Sequence, residues 1–301
     1  MLCGCGKIPS DNAKYTIVTT FFPEYDWVMQ ILGEKAEDTE VIMLLDKGTD
    51  IHSYQPTAED IVTISTCDMF IYVGGESDKW VKDALKNAVN RGMTVISLIE
   101  ALGESVKEEE TAEGMQTSAE DERETDEHVW LSVKNAAIFC KIIAEKLGEA
   151  DGENREIYEK NAETYIEKLN TLDRNYKQTV DSSNKHTLLF GDRFPFRYLT
   201  DDYGLDYFAA FAGCSAETEA SFETIVFLAN KADELGLHAI IHLESSDGKI
   251  ANTVRENTEN KDQKIIVLDS MQSTTLEDVK NGVTYISVME KNLEAIAEAL
   301  E

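Results

Sequence analysis

The chain has 301 residues, 42% of them hydrophobic, and its 58 acidic residues against 28 basic ones give a formal charge of −30. That length exceeds one typical core and suits two, while a surface this acidic repels a phosphate backbone and excludes nucleic acid as a partner class. No run of 18 apolar residues exists, so the sequence offers no membrane-spanning helix.

The chain opens on Leu2-Cys3-Gly4-Cys5 followed by Gly6 and Lys7. This arrangement is similar to the end of a bacterial lipoprotein signal, with Leu three residues before and Gly one residue before Cys5, the position that would receive the lipid. Residues 1–14 are therefore expected to be a tail. The β-branched run from Tyr15 to Thr20 predicts a strand, and Pro23 can begin a helix to about Leu32. A second apolar run, Val41 to Leu45, ends in the turn composition Asp46 to Asp50, after which comes His52. Thr57 and Asp60 make a capping-box start for a helix through about Thr66. A strand at Met69 to Val73, a helix at about Lys79 to Asn90 and a strand at Thr94 to Leu98 follow, and such alternation points to a parallel sheet.

From Glu104 to Glu127 the pattern dissolves into an acidic stretch with hardly an apolar anchor, which reads as a mobile loop. It ends at His128, and a helix from about Ser132 to Leu147 leads on. Between Glu153 and Ser182, Tyr158, Ala162, Tyr165, Leu169, Leu172, Tyr176 and Val180 recur at steps of three or four, with charged residues opposite. No Pro or Gly interrupts them, so one long amphipathic helix is expected, a stiff strut between two α/β lobes at 15–152 and 183–301. The second lobe should carry strands at about Thr187 to Phe190, Tyr207 to Phe211, Ala239 to Leu243 and Ile265 to Leu268. Helices at about Phe196 to Tyr203, Phe222 to Leu235, Lys249 to Thr258 and Ile286 to Leu300 should fill the intervals. The expected fold class is α/β, two lobes each with a four-stranded, mainly parallel sheet.

Five histidines are available for chemistry. His52 stands in a polar turn after a strand, the sheet edge at which open α/β folds place ligands, and His128 sits where the acidic stretch meets a helix. His186 precedes a strand, at the opposite sheet edge. His238 and His242 flank an apolar strand and would lie about 13 Å apart, too far to share one ion. Cys67, Cys140 and Cys214 are scattered without CxxC spacing and read as small buried hydrophobes. Phosphate-cradling and nucleophile-elbow motifs are absent.

The ordered set Gly48-Thr49-Asp50-Ile51-His52-Ser53-Tyr54-Gln55-Pro56 and Glu127-His128-Val129-Trp130 resembles the two histidine motifs of the zinc- and manganese-binding lipoproteins that serve ABC transporters, the ZnuA/AdcA-like family. Tyr158 to Ala162 is similar to that family's connecting helix, Val267 to Ser270 to the stretch holding its acidic ligand, and Tyr285 to Leu300 to its terminal helix. The resemblance runs from about Tyr15 to Leu300. It implies an extracytoplasmic, lipid-anchored, monomeric protein on the outer face of the bacterial membrane, which takes Zn2+ or Mn2+ as transported ligand and delivers it to a membrane permease. It also implies the ligand set His52, His128 and Asp269. Where the family places a further His or Glu, the ungapped match falls on Arg193, which has no lone pair for a metal, and a one-residue shift puts Asp192 there. The fourth place thus goes to Asp192, or to water with Arg193 paired to a carboxylate. A receptor for a metal chelate, using Arg193 and Arg197, and a metal-dependent hydrolase, with Glu244 as general base, are the alternatives.

Overall fold

The computed structural model describes residues 14–116, 125–215 and 219–301. In chain order, the first part comprises β1 (Tyr15–Thr19), α1 (Phe22–Leu32), β2 (Thr39–Met43), α2 (Ala58–Thr66), β3 (Met69–Tyr72), α3 (Val81–Lys86), β4 (Thr94–Ser97) and α4 (Leu98–Leu102). Two long helices follow, α5 (Val133–Ala150) and α6 (Arg155–Ser182). Then come β5 (Thr187–Phe194), α7 (Arg197–Tyr203), β6 (Asp206–Ala212), α8 (Phe222–Leu235), β7 (Ala239–Leu243), α9 (Lys249–Glu256), β8 (Lys264–Leu268), α10 (Leu276–Lys280) and α11 (Tyr285–Ala299).

The strands form two four-stranded sheets of the same topology, ordered β2-β1-β3-β4 and β6-β5-β7-β8, with every pairing parallel. In each, the chain goes first to one side of the opening strand and then to the other, so each sheet has a switch point where the loops at the carboxyl ends of the strands diverge and leave a crevice. His52 follows β2, Ser77 follows β3, Cys214 follows β6, and Asp269 follows β8.

Helix α6 buries the seven residues that the sequence pattern selects, Tyr158 through Val180. Its 28 residues span about 42 Å at 1.5 Å of rise each. The early turns lie against α1 and α5, the later ones against α7 and α11. The tyrosines reach polar partners from this apolar stripe: Tyr165 donates to Asp26 at 3.0 Å, and Tyr176 to the Met289 carbonyl at 2.6 Å. Asp26 also accepts from Gln30 and from the Tyr285 backbone N–H. One buried carboxylate thus ties α1, α6 and the start of α11 together. Trp27 packs edge-on against Tyr285, and a single hydrophobic cluster runs unbroken from Ile17 to Leu300.

Several elements differ from the sequence expectation. The helix expected over Lys79 to Asn90 is regular only in α3, because the N–H groups of Val89 and Asn90 turn to the Ser65 carbonyl at the end of α2. Strand β5 continues past Phe190 to Phe194 through a register shift. Gly191 permits it, since a Cβ there would stand 2.4 Å from the Ala251 Cα of α9. Helices α4 and α10, of five residues each, are too short to show a period. The described parts of the acidic stretch, residues 104–116 and 125–127, are tied to the fold. Met115 is buried, the Gln116 N–H donates to the Ala210 carbonyl, the Lys107 N–H donates to the Tyr198 hydroxyl, and Glu110 pairs with Arg197. Residues 117–124 of that stretch, and Cys5 with residues 1–13 of the tail, lie outside the described residues. Among the described residues no helix is long and apolar enough to cross a membrane.

Removing the Asp26 carboxylate strands a buried tyrosine hydroxyl and a buried backbone N–H. Asp26→Ala should therefore destabilise the fold by on the order of 3 kcal/mol in denaturant titrations. Asp26→Asn, which keeps an acceptor oxygen, should recover a large part of that loss.

Candidate metal centre

His52 lies in a single turn of 3-10 helix, Ile51–Ser53, seated by the buried Ile51 side chain. Asp50 caps that turn, with Oδ1 accepting from the His52 N–H at 2.9 Å, while its Oδ2 takes Arg193 Nη2 at 2.8 Å from β5 of the other sheet. His128 is fixed by Asp126, whose Oδ1 accepts from the His128 N–H at 2.9 Å and stands 3.0 Å from Nδ1. The next residues, Val129, Trp130 and Leu131, are fully buried, and Trp130 Nε1 donates to the Ser270 carbonyl at 2.9 Å. The sequence pattern apolar-apolar-apolar after His128 therefore acts as an anchor between the two sheets.

These supports bring His52 Nε2 and His128 Nε2 to 3.1 Å. Cys214 completes a group in which the three potential ligand atoms all lie within 4.8 Å of one another. Gly213 makes that approach possible: a Cβ there would be 2.8 Å from both His128 Cε1 and the Phe194 carbonyl oxygen. The Cys214 N–H is in turn held by Glu109 Oε1 at 2.8 Å.

The surroundings keep the first imidazole uncharged. Burial and the neighbouring His128 push the His52 pKa down to about 3, with Arg193 adding to this and Asp50 opposing it. One of its ring nitrogens consequently carries a free lone pair at neutral pH. The Asp50 carboxyl itself is held below its usual range: burial opposes this, but the hydrogen bond and charge of Arg193 prevail. Behind His128, the Asp126 carboxylate favours a proton on Nδ1 and leaves Nε2 bare. Behind His52, Ser77 Oγ is 2.9 Å from Nδ1, and Glu127 Oε2 is 3.7 Å away. Glu127 Oε1 accepts the Ser77 N–H at 2.7 Å, and Oε2 is buried without a hydrogen bond. Desolvation raises the Glu127 pKa. Burial, followed by the nearby carboxylates of Glu109, Glu127 and Asp126, raises that of the Cys214 thiol. A cation entering here would meet two imidazole nitrogens, a sulfur and a ring of carboxylates behind them.

Of the four residues named from the sequence, the structure brings His52 and His128 together and leaves Asp192 and Asp269 outside the group. Asp192 Oδ1 accepts its neighbour's N–H, that of Arg193, and Oδ2 accepts the Leu243 N–H at 3.0 Å, so it ties β5 to the end of β7. Asp269 Oδ1 accepts the Met271 N–H at 2.7 Å. Met271 has φ of 64°, a conformation that costs a non-glycine residue energy and needs such support. Burial and Glu244 push the Asp269 pKa up to about 6. Glu244 is engaged by Ser270 and Ser273. Gln272 follows in the same loop, buried, with neither side-chain amide atom hydrogen-bonded. Cys214 was missed because a lone cysteine far from either histidine carries no spacing signal; Cys67 and Cys140 are buried elsewhere, as expected.

A model of the family described as "ZnuA: Zinc-uptake complex component A periplasmic" matches residues 17–299. The high-affinity zinc uptake system protein ZnuA of Bacillus subtilis (strain 168) is 31% identical over 302 residues, which cover 98% of this chain and 90% of that protein. The zinc-binding lipoprotein AdcA of Streptococcus pneumoniae (strain R6) is 31% identical over 304 residues, 100% of this chain but only 58% of that protein. The chain thus spans little more than half the length of the streptococcal relatives. Among solved structures, the Zn(II)-bound ZnuA-like domain of Streptococcus pneumoniae AdcA superposes with a TM-score of 0.75 at 31% identity, covering 96% of this chain and 99% of that one. The metal-dependent lipoprotein YcdH of Bacillus subtilis gives 0.79 at 29% identity, covering 96% and 100%.

The loop that carries Ser77 to His52 contains a second buried acid, Asp78, which accepts the Gly74 N–H at 2.9 Å. Desolvation, with the charge of Glu127, pushes its pKa up to about 7. A raised carboxyl favours the folded state while protonated, so stability falls as pH rises from the ordinary carboxylate range through 7 and is level above it. Asp78→Asn keeps an oxygen for Gly74 and lacks this loss. Its stability relative to the native protein should therefore rise between about pH 4 and about pH 8 in urea titrations at each pH.

Proposed function

Because the chain belongs to the family of periplasmic A components of zinc-uptake complexes, we propose that it captures a zinc ion between His52 and His128 and delivers it to the membrane permease of an ABC transporter. The observation that carries this reading is the pair of Nε2 atoms 3.1 Å apart. Two ligands of one tetrahedral zinc with bonds of 2.0–2.1 Å stand about 3.3 Å apart, so the two imidazoles already stand at bite distance. At that distance one imidazole can donate an Nε2–H to the other's Nε2, and an entering cation would displace that proton and take both nitrogens.

Imidazole donors suit zinc, whereas manganese prefers an oxygen set, and neither Asp192 nor Asp269 stands with the histidines. The cation charge is balanced from behind by Asp126 and Glu127, which also set the tautomers. Delivery requires release, and the continuous core through α6 and α11 makes wide hinge opening costly. Small movements of the loops that carry the ligands are the route that remains. The protein acts as a monomer, held at the extracellular face of the membrane by a lipid on Cys5, and no covalent step belongs to its work. The hydrolase alternative loses its base because Glu244 is occupied by two serines. The chelate alternative loses its leading cation because Arg193 is paired with Asp50.

Calorimetric titration of chelator-stripped protein with zinc tests the assignment. His52→Ala and His128→Ala should each weaken binding by roughly a hundredfold or more, and Asp126→Ala by about 10- to 100-fold. Asp192→Ala and Asp269→Ala should cost less than about tenfold, since each acts on backbone and not on the ion. Native affinity in either histidine variant would refute the metal reading.

A further inference from the structure

We propose that the Cys214 thiolate is the third protein ligand, so that the centre is a two-nitrogen, one-sulfur site that selects thiophilic divalent ions such as zinc against manganese. This rests on the reading that His52 and His128 bind the metal, and goes beyond it by naming a ligand that neither the sequence motifs nor the resemblance supplies.

Three observations carry it. The first is distance: Cys214 Sγ joins the two imidazole nitrogens with all three atoms within 4.8 Å of one another. Nitrogen and sulfur ligands of one tetrahedral zinc, at bonds of about 2.0–2.1 and 2.3 Å, stand about 3.6 Å apart, so the cluster would close on an ion by a contraction on the order of 1 Å. The second is construction: the turn after β6 can lie on the His128 ring only because residue 213 is glycine, and Glu109 pins the Cys214 N–H on the opposite side. The sulfur is delivered to the site by both neighbours. The third is the fate of the alternatives. Among the described residues no carboxylate joins the group. Asp192 spends its oxygens on two backbone N–H groups, and Asp269 supports the left-handed Met271. Arg193, where the resemblance places a ligand, is a cation locked to Asp50. The Cys214 thiol, kept protonated by burial and the nearby carboxylates, releases its proton to solvent as the ion binds, and as thiolate beside two neutral imidazoles it leaves one position for water or for exchange with the permease.

The chemical consequence is selectivity. Thiolate and imidazole favour zinc, whereas manganese binds best to oxygen donors. A cavity of about 790 Å³ is lined in part by Ser53 and Ser215, the residues next to His52 and Cys214, so open space lies beside the centre.

The test uses cobalt(II) as a spectroscopic probe for zinc in chelator-stripped, fully reduced, full-length protein. The native protein should show a sulfur-to-cobalt charge-transfer band in the near ultraviolet beside the visible d–d bands. In Cys214→Ser the charge-transfer band should vanish while cobalt still binds, zinc affinity should fall roughly tenfold or more, and the preference for zinc over manganese should narrow. The other four cysteines remain in that variant, so loss of the band identifies the sulfur. Cys214→Ala controls for the serine hydroxyl and should weaken zinc at least as much. An unchanged band in Cys214→Ser, or zinc affinity within twofold of native, together with lost binding in His52→Ala, would overturn the thiolate ligand and leave the histidine site standing. A native protein that takes up neither cobalt nor zinc would overturn both.

Discussion

The fold turns on a buried carboxylate with three partners from three helices. Asp26 on α1 receives Tyr165 from the middle of α6 and the first N–H of α11, so the strut and the returning terminal helix are fixed to the same oxygen pair. Around it, Trp27, Tyr285 and Trp130 fill the space between the sheets, and Trp130 holds the loop after β8 through Ser270. That arrangement matters to the centre because His128 is two residues from Trp130. The position of the second imidazole is therefore set by the same contacts that set the angle between the sheets. A ligand cluster whose atoms must agree within about half an ångström needs such backing, and a hinge free to swing would not provide it.

The electrostatics follow one plan on both imidazoles. Each has its distal nitrogen directed at a carboxylate-backed partner, Asp126 directly and Glu127 together with Ser77, while its proximal nitrogen faces the other ring. Desolvation lowers the affinity of His52 for a proton, whereas on the proposed reading a divalent ion would bring its own charge and gain from the same carboxylates. The net charge of −30 acts further out. It raises the local concentration of cations near the surface, an effect that salt screens beyond roughly 8–10 Å, and it carries no preference among them. Selection has to come from the ligand atoms themselves.

Much of the scaffold was legible because it is periodic. The seven buried residues of α6 follow from a repeat of about 3.6, the eight strands among the described residues from apolar, β-branched runs, and the polar turn at His52 from a change of composition at a sheet edge. What escaped has no period. Cys214 reaches His128 only through the fold, and in a single sequence its one side chain resembles any small buried residue. Asp269 follows a strand and Asp192 follows the expected end of one, which is where ligands sit, but each is an acceptor for strained or irregular backbone, a role that leaves the same trace. The acidic stretch looked unstructured because its anchors are isolated: one buried methionine at Met115, one main-chain bond at Gln116, one side chain at Glu109. Composition averages over such points and misses them.

Arg193 stands beside the proposed centre and is tied to it through Asp50. A guanidinium cannot ligate a metal, and a free positive charge beside two imidazoles would repel the ion. Its pairing with Asp50 removes most of that repulsion and does a second thing: the other oxygen of Asp50 caps the His52 turn. A residue from the second sheet thereby positions a ligand on the first. The salt bridge is largely sheltered from solvent, at 18% and 22% side-chain exposure, so screening weakens it less than a surface pair. With Arg193 turned to Asp50, the space beside His128 is left to the turn at Gly213, and the sulfur of Cys214 is the ligand atom that turn carries to the histidines.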